Sequence, residues 1–261
     1  MKPILDVRSL TMDFGGLRAI DGLNMVIHPG EIVALIGPNG AGKTTFFNCL
    51  TGIYTPTAGD ILLRVNGGQA RINGMKPNRI TLKGIARTFQ NIRLFPNMTV
   101  LENVMIGRHC RTSSGIWGAV FRNKKTVSEE QKVIDDSYAI LEKIGLESVV
   151  NELAMNLPYG AQRRLEIARA LATEPYLLLL DEPAAGMNQK ETQELDALIV
   201  KIRDTENISI LLIEHDMKLV MRISDRIYVV DYGKQIASGA PSEIMENRAV
   251  IKAYLGEDAD A

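Results

Sequence analysis

The fold is decided by the stretch Ile32-Val33-Ala34-Leu35-Ile36-Gly37-Pro38-Asn39-Gly40-Ala41-Gly42-Lys43-Thr44. Its first five residues are all apolar, which is typical of a strand that is buried on both faces. A glycine-rich loop follows, and residues 43–50 predict a helix directly after the loop. The loop fits the pattern G-x-x-x-x-G-K-[ST] in full and lies between a strand and a helix, as that pattern requires. The stretch therefore predicts a strand–loop–helix unit.

The sequence on the carboxyl side of this unit predicts further alternation of strands and helices. Buried apolar strands are predicted at 176–180 and 208–213, and helices at 160–172 and from Asn188 onward. Strands that alternate with helices in this way are typical of a layered α/β sheet. The fold class predicted from these elements is therefore α/β.

Other segments predict shorter elements. Residues 4–10 and 23–28 alternate apolar and polar side chains, as half-exposed strands do. Residues 51–84 are rich in Gly, Asn and Pro and predict hairpins and loops, and residues 228–237 predict a hairpin around a turn at 231–234.

Two capping boxes predict the starts of two further helices. Thr99 with Glu102 predicts one start, and Ser128 with Gln131 predicts the other, with Gly145 ending the second helix. The segment 109–125 between them has no clear period and is interpreted as a loop-rich insertion.

The glycine-rich loop has the chemistry of a phosphate-binding site. Glycines lack Cβ, so the backbone can wrap a chain of phosphates and direct its N–H groups toward them. The N-terminus of the following helix adds positive potential. Lys43 is expected at the β- and γ-phosphates, Thr44 is expected to bind Mg²⁺, and Thr45 is expected near the α-phosphate. The predicted nucleotide contacts in the loop are Gly37, Pro38, Asn39, Gly40, Ala41, Gly42, Lys43, Thr44 and Thr45.

A second motif ends the apolar run 177–180 with two acids, Asp181 and Glu182, before Pro183. In phosphate-loop NTPases an acid at such a strand end binds Mg²⁺, which predicts that role for Asp181. Glu182 is predicted to orient or deprotonate the attacking water. The alternative, a solvated acidic turn, is disfavoured because the phosphate loop is present in the same chain.

Composition limits the possible classes of protein. The chain has 261 residues, of which 46% are hydrophobic, and a formal net charge of -1. This balance argues against a protein held to nucleic acid mainly by net positive charge. No run approaches the ~20 apolar residues that cross a bilayer, and no secretion signal is evident, so we expect a cytoplasmic chain. Cys49 and Cys110 have no metal or redox spacing and are interpreted as inert thiols.

With these motifs in this order, the chain resembles the ATP-binding subunits of ABC (ATP-binding cassette) proteins over nearly its whole length. The loop resembles Walker A, and residues 177–182 resemble Walker B with its catalytic glutamate. By this resemblance Gln90 is the Q-loop glutamine and a further Mg²⁺ contact, and His215 is the switch histidine. Phe14 matches the aromatic residue that stacks on adenine, although a core position is the alternative interpretation.

The resemblance implies an ATPase whose ligands are ATP and Mg²⁺ and whose catalytic residues include Lys43, Gln90, Glu182 and His215. It implies a P-loop NTPase cassette with a RecA-like core, an antiparallel β subdomain and an α-helical subdomain. Within one ABC ATPase domain, 1–261, the expected bounds are 1–90 and 159–240 for the core with its β subdomain, 91–158 for the helical subdomain and 241–261 for a C-terminal helical tail.

The signature motif departs from the family pattern Leu-Ser-Gly-Gly-Gln. Here the stretch reads Leu157-Pro158-Tyr159-Gly160-Ala161-Gln162. In the family the serine hydroxyl and glycine N–H groups contact the γ-phosphate held by the opposite subunit, and Pro158 has neither hydroxyl nor N–H. We expect this stretch to contact the partner's ATP with fewer direct ligands, through Leu157, Tyr159, Gly160 and Gln162.

Within the family the chain is most similar to the larger ATP-binding subunit of bacterial branched-chain amino acid importers. The similar stretches are 87–90, 157–160, 181–188, 212–217 and 251–256, together with the insertion at 109–125. This similarity implies a second ABC ATPase subunit, either a sister subunit or an identical copy, and two integral-membrane permease subunits. It also implies an indirect partner, a periplasmic or extracellular substrate-binding protein, but no nucleic acid. We expect the chain to be a peripheral protein on the cytoplasmic face of the inner membrane.

Three alternative functions stay open from the sequence. The first is the ATPase of a lipid or lipopolysaccharide exporter, whose subunits also end in Tyr-Leu-Gly. The second is a soluble ABC ATPase that acts on nucleic acid or ribosomes, and the third is a binding module without turnover, which Glu182 and His215 disfavour. By the resemblance, contact with a permease is expected through the segment 91–98 and the helical region up to about Leu157. Inward packing is the alternative for the apolar residues of the segment, which are Ile92, Leu94, Phe95 and Met98.

Overall fold

The computed structural model describes residues 2–65, 67–111 and 124–255 and has an α/β architecture. Contacts divide the chain into two compact units, Met1–Arg87 with Tyr176–Ala261, and Thr88–Pro175. The second unit therefore includes the helix that begins at Tyr159, which the sequence prediction grouped with the core. Most of the predicted insertion, residues 112–123, lies outside the described residues.

All strands of the described residues belong to the first unit, whereas the helices are shared between the two units. The strands are β1 (Leu5–Phe14), β2 (Leu17–Ile27), β3 (Ile32–Ile36), β4 (Ala58–Val65), β5 (Gly68–Arg71), β6 (Ile85–Arg87), β7 (Leu177–Asp181), β8 (Ser209–Ile213), β9 (Arg226–Asp231) and β10 (Lys234–Gly239). The helices are α1 (Lys43–Leu50), α2 (Pro77–Leu82), α3 (Val100–Arg108), α4 (Lys124–Ile144), α5 (Tyr159–Leu171), α6 (Gln189–Glu206), α7 (Met217–Ile223), α8 (Pro241–Met245) and α9 (Arg248–Leu255).

A six-stranded sheet with the order β10-β9-β3-β8-β7-β6 forms the centre of the first unit. Its strands are parallel except for β10, which pairs with β9 as an antiparallel hairpin. Every residue of β3, β7 and β8 is buried, which explains their unbroken apolar sequences. In the register of these strands Ile213 is opposite both Leu35 and Asp181, so the three strands end at the same edge of the sheet.

The first unit also contains a four-stranded antiparallel sheet with the order β2-β1-β4-β5. Apolar side chains from both sheets and from α1 form one hydrophobic core. Phe46 and Phe47 of α1 are fully buried in it. Burying a phenylalanine side chain contributes roughly 1.5–3 kcal/mol, so this core fixes α1, and with it the preceding loop, against the sheets.

In the second unit α3, α4 and α5 pack against one another. Thr99 and Glu102 form the predicted capping box at the start of α3. The buried Asn103 then holds the preceding turn, because its amide donates to the backbone oxygens of Phe95 and Thr99 and accepts from the N–H of Phe95.

Most predicted elements are confirmed, but two predictions are wrong in extent and one missed a helix. Helix α4 begins at Lys124 rather than at Ser128, because residues 124–127 contain no helix breaker and a serine inside a helix costs only about 0.5 kcal/mol. Segment 51–84 contains a helix, α2, which Pro77 starts in its first turn. Strands β1 and β2 extend to a tight turn at Gly15, whose φ is 58°.

Candidate active site

Three neighbouring strands of the first unit bring the predicted site residues to one edge of the sheet. The glycine-rich loop follows β3, Asp181 ends β7 and Glu182 comes directly after it, and His215 follows β8. Because β8 pairs in parallel with both β3 and β7, the three chain segments leave the sheet side by side. This is the edge at which open α/β sheets bind ligands.

Two glycines of the loop are required by close backbone contacts. A Cβ at Gly37 would lie 2.0 Å from the carbonyl oxygen of Val230, and a Cβ at Gly42 would lie 2.5 Å from that of Ala19. Gly42 also has a φ of 98°, which side-chain-bearing residues rarely adopt. Any other residue at either position would displace the loop from the sheet or from β2.

Lys43, the first residue of α1, points its ammonium group back into this loop. It is 7% exposed, and its Nζ donates to the carbonyl oxygens of Gly37 at 2.6 Å and Pro38 at 2.9 Å. Burial lowers the pKa of Lys43, while the charges of Glu182 and Asp181 act in the opposite direction. An ammonium group has three N–H donors, so these two bonds leave donor capacity for an anion in the loop.

The N-terminus of α1 adds to this anion site. Among the described side chains none caps the helix, and its first turn contains no acidic residue. Thr44, which is exposed, and Thr45, which is partly buried, lie in this first turn. Backbone N–H groups at an uncapped helix N-terminus and a buried ammonium group together fit a phosphate chain.

Asp181 is held by an arginine that sequence reasoning missed. Arg87, the last residue of β6, donates from Nη2 to Asp181 Oδ2 at 2.6 Å, and both side chains are 6% exposed. The same guanidinium donates from Nη1 to Asn48 Oδ1 on α1 at 2.7 Å. Arg87 therefore connects the helix behind the phosphate loop with the carboxylate at the end of β7.

The donor set at this edge fits Mg²⁺. Magnesium prefers oxygen ligands and usually takes only one or two protein groups alongside substrate phosphates. Asp181 offers a carboxylate and Thr44 offers a hydroxyl, and no group of three or more His, Cys, Asp or Glu side chains in the described part of the chain forms a closed metal site. The arrangement suits an ion shared between protein and nucleotide.

Glu182 and His215 are in direct contact. His215 Nε2 lies 2.8 Å from Glu182 Oε1, and the backbone N–H of Glu182 donates to the carbonyl oxygen of Ile213 at 2.9 Å. Glu182 has a φ of 47°, a strained conformation for a residue with a side chain. The chain therefore leaves the direction of β7 at Glu182, whose carboxylate contacts His215.

Glu214 is a second residue that sequence reasoning missed. It is 4% exposed, and its carboxylate accepts from the backbone N–H of Ala184 at 2.7 Å and of His215 at 3.0 Å. The pKa of Glu214 is raised above its ordinary value, because the effect of burial outweighs that of the backbone N–H donors, which lower it. Glu214 thus ties the segment after Glu182 to the segment that carries His215. The signal that singled out Asp181, an acid directly after an apolar strand, is also present here.

Two further predicted residues, Phe14 and Gln90, belong to different units. Phe14, at the end of β1, is 41% exposed and contacts Tyr54 edge to face, with ring centroids 5.1 Å apart, so the inward-packing alternative is not adopted. Gln90 belongs to the second unit and is exposed.

The signature stretch also lies in the second unit, where Pro158 directly precedes α5. Leu157 is buried, whereas Tyr159 is 42% exposed. The side-chain amide of Gln162 donates back to the carbonyl oxygen of Leu157 at 2.8 Å.

A family model described as ABC transporter matches residues 20–185. The chain belongs to the family of ABC transporter ATP-binding proteins. A second model, described as branched-chain amino acid ATP-binding cassette transporter, matches residues 234–260 of this ABC protein. The predicted family, the α/β cassette fold and the ATPase class are thereby confirmed, whereas the roles of single residues stay predictions.

Curated relatives and solved structures resemble this ABC protein over nearly their full length. The high-affinity branched-chain amino acid transport ATP-binding protein LivG of Escherichia coli K12 is 51% identical over 256 residues, which are 98% of this chain and 99% of LivG. The corresponding protein BraF of Pseudomonas aeruginosa is 49% identical with the same coverage. The ADP conformation of MJ1267, an ATP-binding cassette of an ABC transporter, has a TM-score of 0.84 at 30% identity and covers 98% of this chain and 100% of that one.

Proposed function

We propose that this ABC ATPase powers the import of branched-chain or related amino acids through membrane permease partners. The observation that carries the proposal is the 51% identity to LivG across 99% of that protein. The match of residues 234–260 to a branched-chain amino acid cassette model supports the same substrate class from a separate part of the chain. Neither observation favours lipid export or a soluble role.

In this proposal the loop after β3 binds the phosphates of ATP. Lys43, held by two loop carbonyls, neutralises the β- and γ-phosphates, and the N-terminus of α1 supplies backbone N–H donors. Phe14 stacks on the adenine, to which its exposure on β1 is suited. Because the loop is fixed to the hydrophobic core through α1, these groups need little rearrangement when ATP binds.

Asp181 and Thr44 would hold Mg²⁺, with Gln90 as the further ligand predicted from the sequence. The ion supplies neutralisation of phosphate charge when it is bound. Glu182 orients the attacking water and accepts its proton, and His215, at 2.8 Å from Glu182, stabilises the charge that develops in the transition state. Glu214 keeps the backbone of both segments in place.

The signature stretch of the same chain would serve a second cassette, either a sister subunit or an identical copy. Tyr159 and Gly160 at the start of α5 are the groups best suited to approach the partner's ATP, since Pro158 offers no donor and Leu157 is buried. The backbone of Leu157 is engaged within the chain, because its N–H donates to Ala154 and its carbonyl oxygen accepts from Gln162, so Leu157 would support the stretch rather than bind the phosphate. ATP would favour the closed pair over the open pair because it binds the closed pair more tightly.

Two integral-membrane permease subunits complete the proposed assembly, with a periplasmic or extracellular substrate-binding protein as an indirect partner. No helix in the described ranges is long and apolar enough to span a bilayer. We propose a peripheral position on the cytoplasmic face of the inner membrane, held by the permease. The segment 91–98, in which Phe95 is 45% and Met98 is 37% exposed, is the proposed contact.

The experiment is to purify the full chain with its membrane partners and to reconstitute the complex in liposomes. ATP-dependent uptake of labelled leucine, isoleucine and valine should exceed that of lysine, and the Lys43→Ala variant should take up none of them. Association with permeases that accumulate only lipid or only unrelated solutes would contradict the proposed substrate class. An absence of ATP hydrolysis in the native complex would contradict the function altogether.

A further inference from the structure

Buried charged side chains of α5 hold the segment 89–93, which carries Gln90 and is neither helix nor strand. Arg163 is fully buried and Glu166 is 1% exposed. Arg163 Nη1 lies 2.9 Å from Glu166 Oε2. Burying such a pair costs desolvation energy that packed apolar residues would avoid. The pair is therefore weak evidence for stability, and its hydrogen bonds to other groups indicate what it does.

Arg163 binds two successive backbone carbonyls of the segment. Its Nη1 donates to the oxygen of Phe89 at 2.6 Å, and its Nη2 donates to the oxygen of Gln90 at 2.8 Å. A guanidinium is rigid and planar, so two bonds from its fork fix both the position and the orientation of the peptide that joins these residues. Nη2 also lies 3.3 Å from the hydroxyl of Tyr159, the first residue of α5.

Glu166 binds the same segment through its N–H groups. Its Oε1 accepts from the backbone N–H of Phe89 at 3.4 Å and of Arg93 at 3.3 Å. The guanidinium carbon of Arg93 in turn lies 4.1 Å from the centroid of the Phe89 ring. The pKa of Glu166 is raised by burial, which outweighs the lowering by Arg163 and by these N–H donors.

The helix that supplies both side chains begins inside the signature stretch. Tyr159 is its first residue, and Arg163 and Glu166 lie one and two turns further along. All of these residues belong to the second unit. A displacement of α5 must therefore either carry segment 89–93 with it or break several charge-assisted hydrogen bonds in a buried site.

We propose that Arg163 and Glu166 are positioning residues that make segment 89–93 move with α5, so that the position of Gln90 follows the signature stretch. The proposal rests on the ATPase function proposed above, in which Gln90 serves the chain's own nucleotide and the signature stretch serves the partner's. Closure of the signature stretch on one ATP would then adjust Gln90 at the other ATP through one helix and one ion pair.

The test replaces the pair by apolar residues of similar size in the full-length chain, as Arg163→Met together with Glu166→Leu. This double variant preserves packing and leaves no lone buried charge, but it cannot bind the backbone of 89–93. Hydrogen–deuterium exchange of the amides of Phe89 and Arg93, followed in a peptide spanning 88–95, should speed up at least tenfold because they lose their acceptor, Glu166. The kcat for ATP should fall at least tenfold while its KM changes less than about threefold, because Lys43 and the N-terminus of α1, which are proposed to bind the phosphates, are unchanged.

Arg164→Met is the matched control, because Arg164 is the neighbouring arginine of the same helix and is partly exposed. It should leave the exchange of 88–95 and the kcat at native values. Arg163→Lys is the second variant, for the case that the double variant does not fold. It keeps the charge beside Glu166 but cannot bind two carbonyls with one planar fork, so it should show the same changes in smaller degree.

Native exchange and native kcat in a folded double variant would overturn the proposal, and so would equal losses in the Arg164→Met control. If the double variant does not fold, native behaviour of Arg163→Lys would overturn it in the same way. A native chain without any ATPase activity would contradict the proposed function instead, and the exchange measurement alone would then decide whether α5 holds the segment.

Discussion

Glu182 has a left-handed backbone conformation, with a φ of 47°, directly after the end of β7. Such a conformation costs about 1 kcal/mol or more for a residue with a Cβ, and it persists here because neighbouring groups hold it. Its N–H donates to Ile213, and its carboxylate lies 2.8 Å from His215. At the residue scale the site therefore stores strain at the group that is proposed to orient water.

Replacing Glu182 by glutamine tests the proposed role of its carboxylate. Glu182→Gln keeps the shape of the side chain but removes the negative charge that accepts a proton from water. We expect the kcat for ATP to fall at least 100-fold while ATP affinity changes less than about threefold. Calorimetric binding and phosphate release measure the two quantities separately.

The control for this variant is Glu246→Gln, an exposed glutamate of the first unit, which should hydrolyse ATP at the native rate. A Glu182→Gln variant that turns over ATP as fast as the native chain would contradict the assignment of the water-orienting group to Glu182.

How far the site could be predicted depends on the range of the interactions involved. Lys43, Asp181 and Glu182 stand in local patterns, a glycine-rich loop or an acid after an apolar strand, and the sequence predicts their positions. Arg87 was missed because its partner Asp181 is 94 positions away, and only the pairing of β6 with β7 brings them together. Glu214 stands in the local pattern too, but its contact with Ala184 also depends on a neighbouring strand.

At the scale of elements, local capping signals fix where two of the described helices begin. Thr99 with Glu102 and Asn188 with Glu191 form capping boxes, and the predicted starts of α3 and α6 are confirmed. The same signal at Ser128 was wrong, because nothing in residues 124–127 prevents the helix from starting earlier. The start of a helix is predictable where a capping residue coincides with the start of the helical apolar pattern. It is less predictable where the capping residue stands alone.

The packing of α6 against α7 predicts a pH-dependent stability for the protein. Asp196 on α6 is 4% exposed, and Arg222 Nη2 on α7 lies 2.7 Å from its Oδ2. Burial raises the pKa of Asp196 above its ordinary value of 3.8, Arg222 lowers it, and Asp216 raises it. The folded state therefore holds this proton more tightly than the unfolded state does.

A group whose pKa is raised on folding stabilises the fold fully below the unfolded value and loses that contribution as the pH rises through the folded value. The free energy of unfolding of the native protein should therefore fall relative to that of the Asp196→Asn variant as the pH rises above 3.8. The decrease is at most about 1.4 kcal/mol per pH unit. Urea denaturation at a series of pH values measures this difference.

Asp204→Asn, on the exposed side of the same helix, is the control and should follow the native pH dependence. A difference between native protein and Asp196→Asn that stays constant with rising pH, or that shifts in favour of the native protein, would contradict a raised pKa of Asp196.

At the scale of the whole molecule the chain consists of two units, one with the sheet-edge site and one with the signature helix and the proposed permease contact. In the second unit Asn103 fixes the turn that presents Phe95, whose ring lies 5.7 Å from the guanidinium carbon of Arg169. Phe95→Glu should lower amino acid transport by the reconstituted complex at least tenfold and leave the ATPase rate of the isolated chain within about twofold.

Ile53→Glu is the matched control, since Ile53 is 49% exposed and belongs to the first unit. It should leave transport unchanged. A Phe95→Glu variant that unfolds at a much lower temperature than the native chain would show that Phe95 packs inward and would contradict the proposed contact.

Every step of the proposed function depends on the phosphates of ATP being bound by the buried Lys43, which two loop carbonyls hold, and by the N–H groups of α1. Calorimetric titration of the native chain and of Lys43→Ala with ATP in the presence of Mg²⁺, together with phosphate release, measures this binding. We expect at least tenfold weaker binding and at least 100-fold slower release in the variant. Native affinity and native phosphate release in Lys43→Ala would show that Lys43 does not bind the phosphates.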